Sequence, residues 1–230
     1  ANFVEEAIRN AGVSAPLMIM KGDGGVTNMD TFRTKPILTI LSGPAASVAG
    51  ALLYLKVTNG IFVEVGGTST NICIIKNGKP EIRYVTIKDH PTCIRSMDVR
   101  ILGVAGGSMI KIRDGRVWKV GPRSAHIAGL RYACFADPDI LKNGKVITVK
   151  PKETDVESYL AIKCDTETFA ITNTCAANAL GMIEKGDYAF ANQTSAKIAM
   201  ELLGREPKVT GPEAAMSVIQ TASFEITKAV

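Results

Sequence analysis

Hydrophobic positions at helical spacing mark both ends of the chain. Residues 3–11 place apolar side chains at helical intervals, and the pattern stops at Gly12. The same spacing predicts four further helices, at residues 42–56, 174–182, 188–203 and 213–230. Ser42 is the predicted cap of the first of these. Thr210 and Glu213 form a capping-box signature at the start of the last.

Between these ends, short apolar runs of strand length alternate with turn residues. Three turn dipeptides are typical of β-hairpins, namely Asn77-Gly78, Asp114-Gly115 and Asn143-Gly144. The middle one joins residues 109–113 to 116–120, where apolar and polar positions alternate clearly. Further strands are predicted at residues 17–20, 39–41, 159–163 and 168–171, the last two as a hairpin around residues 165–167.

These elements predict an α/β fold, a mixed sheet with antiparallel hairpins and flanking helices. The 230 residues, 46% of them hydrophobic, are enough for one large domain or two small ones. Strands dominate up to about residue 153 and helices dominate afterwards. We therefore predict a β-rich lobe over residues 1–153, and a more helical continuation or subdomain over residues 154–230.

Composition and charge exclude several classes of protein. The net charge of +5 comes from scattered Lys and Arg residues with few aromatic neighbours, which argues against nucleic-acid binding. No apolar run is long enough to cross a bilayer, so we expect no membrane partner. The five cysteines are odd in number and widely spaced, which argues against zinc and a disulfide framework and favours the cytoplasm. Cys73, Cys134 and Cys175 are interpreted as buried packing residues.

The most informative stretch joins two apolar runs, residues 61–65 and 72–75. Between them lie two glycines and three hydroxyl residues, Gly66, Gly67, Thr68, Ser69 and Thr70. Glycine lets backbone N–H groups approach an anion closely, and the hydroxyls add donors. Glu64, at the end of the first run, could orient a water or a metal bound to phosphate. The sequence favours a phosphate-binding turn, with an ordinary hairpin turn as the alternative.

Two weaker candidates follow along the chain. Residues 103–108 form a second glycine-rich turn, in which the N–H groups of Gly106 and Gly107 could bind an anion or a nucleotide. A plain strand-to-helix turn is the alternative there. Asp98 precedes this turn and could hold a metal or activate water, whereas a surface ion pair between Asp98 and Arg100 is the alternative.

Five blocks of the sequence carry a resemblance to a known family. They are residues 15–25, the block Leu41-Ser42-Gly43-Pro44-Ala45-Ala46-Ser47-Val48, the block Val65-Gly66-Gly67-Thr68-Ser69-Thr70, and residues 103–108 and 120–125. In this order they resemble the hydantoinase A / oxoprolinase family of the actin-like ATPase superfamily. The resemblance covers a little under half of the chain.

The resemblance implies an RNase-H-like lobe that holds one side of ATP while Mg²⁺ bridges the phosphate oxygens. It implies that Gly66 and Gly67 offer amides, that residues 68–70 offer hydroxyls, and that Glu64 acts through a water or Mg²⁺. Family members are longer, and their first phosphate motif lies in an N-terminal domain. The chain therefore resembles an internal fragment that works with this missing lobe or with a partner subunit, and a homo-oligomer is also possible.

The implied activity is the ATP-dependent hydrolysis of a small cyclic amide. The family has aspartate where this chain has Glu64 and Asn71, which favours the first of two alternatives, while the second follows from the phosphorylated intermediates of related subunits. One is a non-catalytic or regulatory nucleotide-binding module. The other is a subunit of a related ATP-dependent carboxylase.

Overall fold

The computed structural model describes residues 2–165, 167–205 and 207–230. The chain divides into two compact units. The first comprises Ala1–Glu64 and Asn71–Arg100, and the second comprises Val65–Thr70 and Ile101–Val230. The glycine-rich turn thus belongs to the second unit, although the residues on both sides of it belong to the first.

The first stretch of chain contains three helices and eight strands. In order they are α1 (Asn2–Asn10), β1 (Met18–Met20), β2 (Val26–Asn28), α2 (Met29–Thr34), a 3₁₀ helix (Pro36–Thr39), α3 (Ser42–Leu55), β3 (Gly60–Val65), β4 (Thr70–Lys76), β5 (Lys79–Pro80), β6 (Ile82–Ile87), β7 (His90–Met97) and β8 (Val99–Leu102). Strands β1 and β2 pair antiparallel, as do β6 and β7. One sheet has the order β3-β4-β5, with β8 also paired to β4.

The hydrophobic pattern predicts most of these elements correctly. Helices α1 and α3 and the strand at residues 18–20 are confirmed. The hairpin at Asn77-Gly78 is confirmed, because both residues have positive φ and join β4 to β5 in antiparallel register.

Two predictions just before α3 are wrong. Residues 39–41 do not form a strand, because the 3₁₀ helix Pro36–Thr39 occupies this segment and Leu41 adopts the left-handed conformation. Leu41 also takes the N-cap position of α3, so Ser42 is the first residue of that helix and does not cap it.

A small core fills the first unit. Ala45 and Val48 of α3 pack with Cys73 and Met97, and all four side chains are buried. The prediction of Cys73 as a buried packing residue is confirmed, since only 1% of it is exposed. Burial also raises the pKa of its thiol.

The second unit contains the remaining six strands and five helices. In order they are β9 (Ser108–Arg113), β10 (Arg116–Ser124), α4 (Ala125–Ala128), β11 (Arg131–Tyr132), a 3₁₀ helix (Ala133–Phe135), α5 (Pro138–Leu141), β12 (Lys145–Val149), β13 (Tyr159–Lys163), β14 (Thr168–Ala170), α6 (Asn173–Ala179), α7 (Gln193–Arg205) and α8 (Gly211–Ala229). Four strands form a sheet in the order β11-β14-β13-β12. Strands β11 and β14 run parallel, and the other two pairs are antiparallel.

The turn dipeptides predict one hairpin correctly here and one wrongly. Asp114-Gly115 joins β9 to β10 as expected, with Arg113 opposite Arg116. Asn143-Gly144 instead connects the end of α5 to β12, because Pro138 starts a short helix where a strand was expected. The hairpin of residues 159–163 and 168–171 is confirmed as β13 and β14, while Thr166 in its turn lies outside the described residues.

Three helices of the second unit enclose its main core. Leu203 of α7 and Val218 of α8 are fully buried there with Ile162 and Phe169 of the sheet. The predicted capping box at Thr210 and Glu213 is present at the start of α8. Helix α7 starts at Gln193, five residues later than the pattern predicts.

The late start of α7 has a visible cause in the loop before it. The side chain of Asn178, which is 1% exposed, donates to the carbonyl oxygens of Thr174 and Ala189 at 2.9 and 3.0 Å. Its Oδ1 accepts from the Ala191 amide at 2.9 Å. The side-chain amide of Asn178 thus holds the backbone of this loop against α6. The loop residues are bonded to Asn178 and do not form a first turn of α7.

Replacing Asn178 is expected to destabilise the second unit. In Asn178→Ala the backbone groups of Ala189 and Ala191 lose their buried partners, which costs roughly 2–4 kcal/mol of unfolding free energy. Urea unfolding of Asn178→Ala beside the exposed control Asn143→Ala measures this difference. A loss below about 1 kcal/mol would show that the loop is held by other contacts.

The architecture confirms the predicted fold class, a mixed α/β chain with antiparallel hairpins and flanking helices. The boundary between residues 153 and 154 stays a prediction, and it falls between the paired strands β12 and β13. None of the helices in the described part of the chain combines the length and apolar character needed to cross a bilayer.

Candidate functional site

The glycine-rich turn follows β3 and closes on itself. The Gly66 amide donates to the carbonyl oxygen of Ser69 at 3.0 Å, so residues 66–69 form a tight loop. Gly66 and Gly67 are exposed, and Thr68 and Ser69 are partly exposed. Within the described residues, the amides of Gly67, Thr68 and Ser69 make no hydrogen bond to another protein group. Three adjacent donors are therefore available to an anion.

The second glycine-rich turn supports the first. The Gly106 amide donates to the Gly66 carbonyl at 3.0 Å, and the Gly107 amide donates to the Gly67 carbonyl at 2.8 Å. Thr174 donates to the Gly106 carbonyl through its amide at 2.8 Å and its hydroxyl at 2.9 Å. The N–H groups of Gly106 and Gly107 are thus occupied by the first turn. The sequence suggests that the amides of residues 106 and 107 bind an anion, but in the structure they hold the first turn and act as a brace.

The hydroxyl groups of the turn differ in their surroundings. Thr70 is fully buried and its hydroxyl donates to the Val104 carbonyl, so this side chain anchors the start of β4. The Thr68 hydroxyl accepts a hydrogen bond from Ser124 at 3.3 Å and can still donate to a ligand. Thr68 and Ser69 are therefore the hydroxyls available beside the free amides.

An open cavity of 660 Å³ adjoins the turn. It is bounded by residues from five parts of the second unit: Val65, Gly66, Gly67, Gly106, Tyr132, Phe135, Thr174, Tyr188 and Ala189. The size is within the usual range of small-molecule sites. The wall is mainly apolar and aromatic, with the backbone of the turn as its polar side.

A second cavity of 580 Å³ also borders Gly67. Thr68, His126 and Arg131 contribute its polar groups, and Tyr132 lines both cavities. Arg131 also donates to Glu167 at 3.0 Å and lies over the ring of Phe169. A guanidinium group beside the turn adds the positive charge that a phosphate-binding site needs.

Arg131 and Tyr132 are the functional candidates that the sequence pattern missed. They form the short strand β11, which has no alternating pattern of its own. Strand β11 reaches the turn because it pairs with β14, far away in the sequence. Burial raises the pKa of the Tyr132 phenol, so its hydroxyl stays protonated and can donate.

Two buried thiols lie behind this wall. Cys134 and Cys175 are both 0% exposed, which confirms the prediction that they are packing residues. A hydrogen bond with the Cys175 thiol, together with burial, raises the pKa of Cys134. The Thr172 hydroxyl lies 3.4 Å from the Cys175 sulfur. Because both sulfurs are fully enclosed, the pair is suited to packing and is out of reach of a substrate.

Glu64, in the first unit, has both carboxylate oxygens engaged. Oε1 accepts from the Ser47 hydroxyl at 2.9 Å, and Oε2 accepts from the Asn71 side-chain amide at 2.8 Å. The residues on either side of the turn thus hold each other by a carboxylate–amide hydrogen bond.

Asp98 lies in the first unit, between β7 and β8. Its carboxylate forms an ion pair with Arg83 at 3.0 Å, and its amide donates to the Glu81 carbonyl at 2.8 Å. Glu81 pairs in turn with Lys76. Asp98 therefore makes an ion pair with Arg83, and the pair with Arg100 that the sequence suggests stays a prediction. Within the described residues, no cluster of three or more His, Cys, Asp or Glu side chains could hold a metal ion.

Comparison with known families and proteins places this chain clearly. The family model described as hydantoinase/oxoprolinase matches residues 1–230. An uncharacterized protein of Methanocaldococcus jannaschii is 26% identical over 175 residues, which are 69% of this chain and 24% of that protein. The caprolactamase subunit alpha of Pseudomonas jessenii is 27% identical over 126 residues, 53% of this chain and 18% of the subunit.

Two solved structures share the fold. A nucleotide-free acetone carboxylase, from a study of ATP-dependent acetone carboxylation, superimposes on 96% of this chain with a TM-score of 0.71 and 19% identity. The ATP-dependent caprolactamase from Pseudomonas jessenii superimposes on 97% with a TM-score of 0.62 and 21% identity. This chain covers 28% and 29% of those two chains, and so spans about a quarter of the length of its relatives.

Proposed function

The chain belongs to the hydantoinase/oxoprolinase family, and from this premise we propose that it is the part of an ATP-dependent cyclic-amide hydrolase that binds the phosphates of ATP. Transfer of a phosphoryl group to the amide oxygen makes the amide carbon more electrophilic and supplies a better leaving group. Water can then open a ring that is otherwise a poor electrophile. The substrate class is a small lactam, hydantoin or oxoproline ring.

One observation carries the proposal, the three free amides of the turn beside an open cavity. The N–H groups of Gly67, Thr68 and Ser69 have no protein acceptor among the described residues. The carbonyl groups of Gly66 and Gly67 are held from behind by the brace at Gly106 and Gly107. Donors that are fixed before the ligand arrives stabilise phosphate charge without a reorganisation cost.

Arg131 completes the proposed phosphate site. Its guanidinium group lines the cavity that Gly67 and Thr68 also line, and phosphate oxygens would compete with Glu167 for it. The Thr68 and Ser69 hydroxyls add neutral donors. These groups bind and orient the phosphates, while the aromatic residues Tyr132 and Phe135 limit the access of water.

Magnesium is the metal that ATP chemistry of this kind uses. Glu64 is the residue of this chain that we propose to hold it, through a water molecule. Each Glu64 oxygen accepts one hydrogen bond in the structure and keeps further acceptor capacity, so the residue fits this role. The metal would neutralise charge on the phosphate oxygens. Asp98 stays a candidate for activating water. The turnover assay described below tests this role.

A second function is favoured by the bond between Glu64 and Asn71. The Asn71 amide occupies one Glu64 oxygen and brings no negative charge of its own, so metal binding here is weaker than with two carboxylates. A nucleotide-binding module without turnover would tolerate this arrangement. An ATP-dependent carboxylase subunit is the third candidate. The turnover assay described below distinguishes it from the other two.

The decisive experiment measures binding and turnover with the full-length protein. Titration calorimetry with Mg-ATP and with ADP is expected to show saturable binding. Phosphate release is expected to depend on a cyclic amide, for which caprolactam, hydantoin and 5-oxoproline are the first compounds to try. Nucleotide binding without release favours the module, and release that depends on bicarbonate and a ketone favours the carboxylase. No binding of either nucleotide would refute the proposal.

Arg131 of the proposed phosphate site can be tested with a variant and a matched control. Arg131→Ala is expected to weaken Mg-ATP binding about tenfold, because it removes a charge-assisted hydrogen bond to phosphate. Arg116→Ala removes an exposed arginine of the same unit that lines neither cavity, and this variant is expected to bind as the wild type does. Equal losses in the two variants would indicate a general effect of net charge and count against the phosphate site.

A further inference from the structure

A buried oxygen without a partner lies next to the proposed phosphate site. Asn173, the first residue of α6, is 8% exposed, and its Nδ2 donates to the Ala105 carbonyl at 2.8 Å. Its Oδ1 is buried and accepts no hydrogen bond from any described residue. Buried polar atoms are nearly always satisfied, so an orphaned acceptor indicates a missing donor.

Asn173 forms part of the wall of a groove of 370 Å³. We call this the α6–α8 groove, and its other main walls are Ala177 of α6 and Ile219, Ala222 and Ile226 of α8. The helices therefore present small and branched apolar side chains towards each other. Such a surface suits a flat, largely apolar ring with a polar edge.

The α6–α8 groove is continuous with the phosphate site. Val65, Gly66, Gly106, Thr174 and Ala189 line both the groove and the cavity of 660 Å³. Gly66 of the braced turn thus borders both spaces. A ligand whose phosphates contact Gly67 and Thr68 can extend past Gly66 into the groove.

We propose that the α6–α8 groove binds the base of the nucleotide and that Asn173 selects a 6-aminopurine. This inference rests on the proposed phosphate site. The exocyclic amine of adenine donates to Asn173 Oδ1, after a small rotation of a side chain that already forms the wall. The apolar side chains of α8 cover the ring. A 6-oxopurine places an acceptor against this acceptor and is disfavoured.

Inosine triphosphate is the sharpest probe, because it exchanges the 6-amine of ATP for an oxygen and changes nothing in the phosphates. The full-length protein is expected to bind Mg-ATP about tenfold or more tightly than Mg-ITP. In Asn173→Ala the two nucleotides are expected to bind within about twofold of each other. Inorganic tripolyphosphate is expected to bind the wild type and Asn173→Ala equally. The exposed Asn143→Ala is the matched control and keeps the preference for ATP.

A second variant tests the groove and leaves the Asn173 side chain unchanged. Ala177→Phe fills the groove and is expected to reduce the affinity for ATP towards that for tripolyphosphate. The tripolyphosphate affinity itself stays as in the wild type. Gln220→Phe adds the same ring on an exposed position of α8 and is expected to change neither affinity.

The outcomes separate the two proposals. If ATP, ITP and tripolyphosphate bind the wild type with similar affinity, the phosphate site stands and the base site is wrong. The base site is also wrong if Asn173→Ala keeps the preference for ATP, or if Ala177→Phe binds ATP as before. If none of the three ligands binds, the proposed function fails and the base site fails with it.

Discussion

Gly107→Ala is expected to separate the two glycine-rich turns and to weaken both folding and nucleotide binding. A Cβ at this position would lie 2.1 Å from the Tyr132 hydroxyl oxygen and 2.6 Å from the Gly67 carbonyl oxygen. Contacts that short force the backbone to move, at a cost of about 1–3 kcal/mol of unfolding free energy. Since Gly67 carries one of the free amides, we also expect at least about a tenfold loss in Mg-ATP affinity. Thermal unfolding and calorimetry measure the two effects.

Two comparisons isolate the cause. Gly50→Ala places a methyl group in open space within α3 and is expected to stabilise the protein slightly, because alanine is the better helix former. The double variant Gly107→Ala with Tyr132→Phe removes one of the two clashing atoms and is expected to recover part of the lost stability. If Gly107→Ala binds Mg-ATP like the wild type, the brace has no part in the site.

Asn71→Asp is expected to create a site for a divalent cation beside Glu64. The Asn71 Nδ2 lies 2.8 Å from a Glu64 oxygen, so an aspartate there would bring two carboxylates together. Without metal their repulsion is expected to lower the stability by about 1–3 kcal/mol. Millimolar Mg²⁺ is expected to restore it, because a ligand that binds only the folded state stabilises that state. Unfolding with and without Mg²⁺ checks both parts.

The pH dependence of Asn71→Asp follows from the same repulsion. A neighbouring carboxylate raises the pKa of one partner above its value in the unfolded chain. Such a group destabilises the fold at high pH, and the loss is recovered as pH falls through the raised pKa. Asn71→Ala lacks the added charge and is expected to show neither the pH effect nor rescue by Mg²⁺. Rescue of Asn71→Ala by Mg²⁺ would contradict this account.

Combining Asn71→Asp with Glu64→Asp bears on the choice between enzyme and binding module. The family resemblance places aspartate at positions 64 and 71. If turnover with a cyclic amide appears only when both aspartates are present, the natural chain is the binding module. If the natural chain already turns over, Glu64 with Asn71 is a working variant of the site.

Short sequence motifs correctly predict those turns and helix ends whose conformation is set by residues adjacent in the sequence. Asp114-Gly115 specifies a hairpin because both residues tolerate positive φ, and the side chains of Thr210 and Glu213 cap α8 within one turn. Asn143-Gly144 misleads because the preceding Pro138 sets up a helix, so the dipeptide ends α5 and does not join two strands. The hairpin of β6 and β7 turns at Lys88 and Asp89, where non-glycine residues adopt positive φ and the usual dipeptide is absent.

The site was predictable only in its central part. Gly66 and Gly67 were identified from their own spacing, because a turn is a local structure. The occupation of the Gly106 and Gly107 amides depends on a contact some 40 positions away along the chain, which spacing cannot reveal. Arg131 and Asn173 likewise come to the turn through the pairing of β11 with β14 and the packing of α6.

The six residues Val65–Thr70 belong to the second unit, although they interrupt the sequence of the first. A recombinant chain that starts at Ile101 would therefore contain most of the second unit but none of the turn. In it the amides of Gly106 and Gly107 would have lost their acceptors. Thr174 would still donate to the Gly106 carbonyl, but the second turn would have no first turn to hold. Neither unit is a continuous piece of sequence, so the two cannot be cut apart at a single peptide bond and still each be whole.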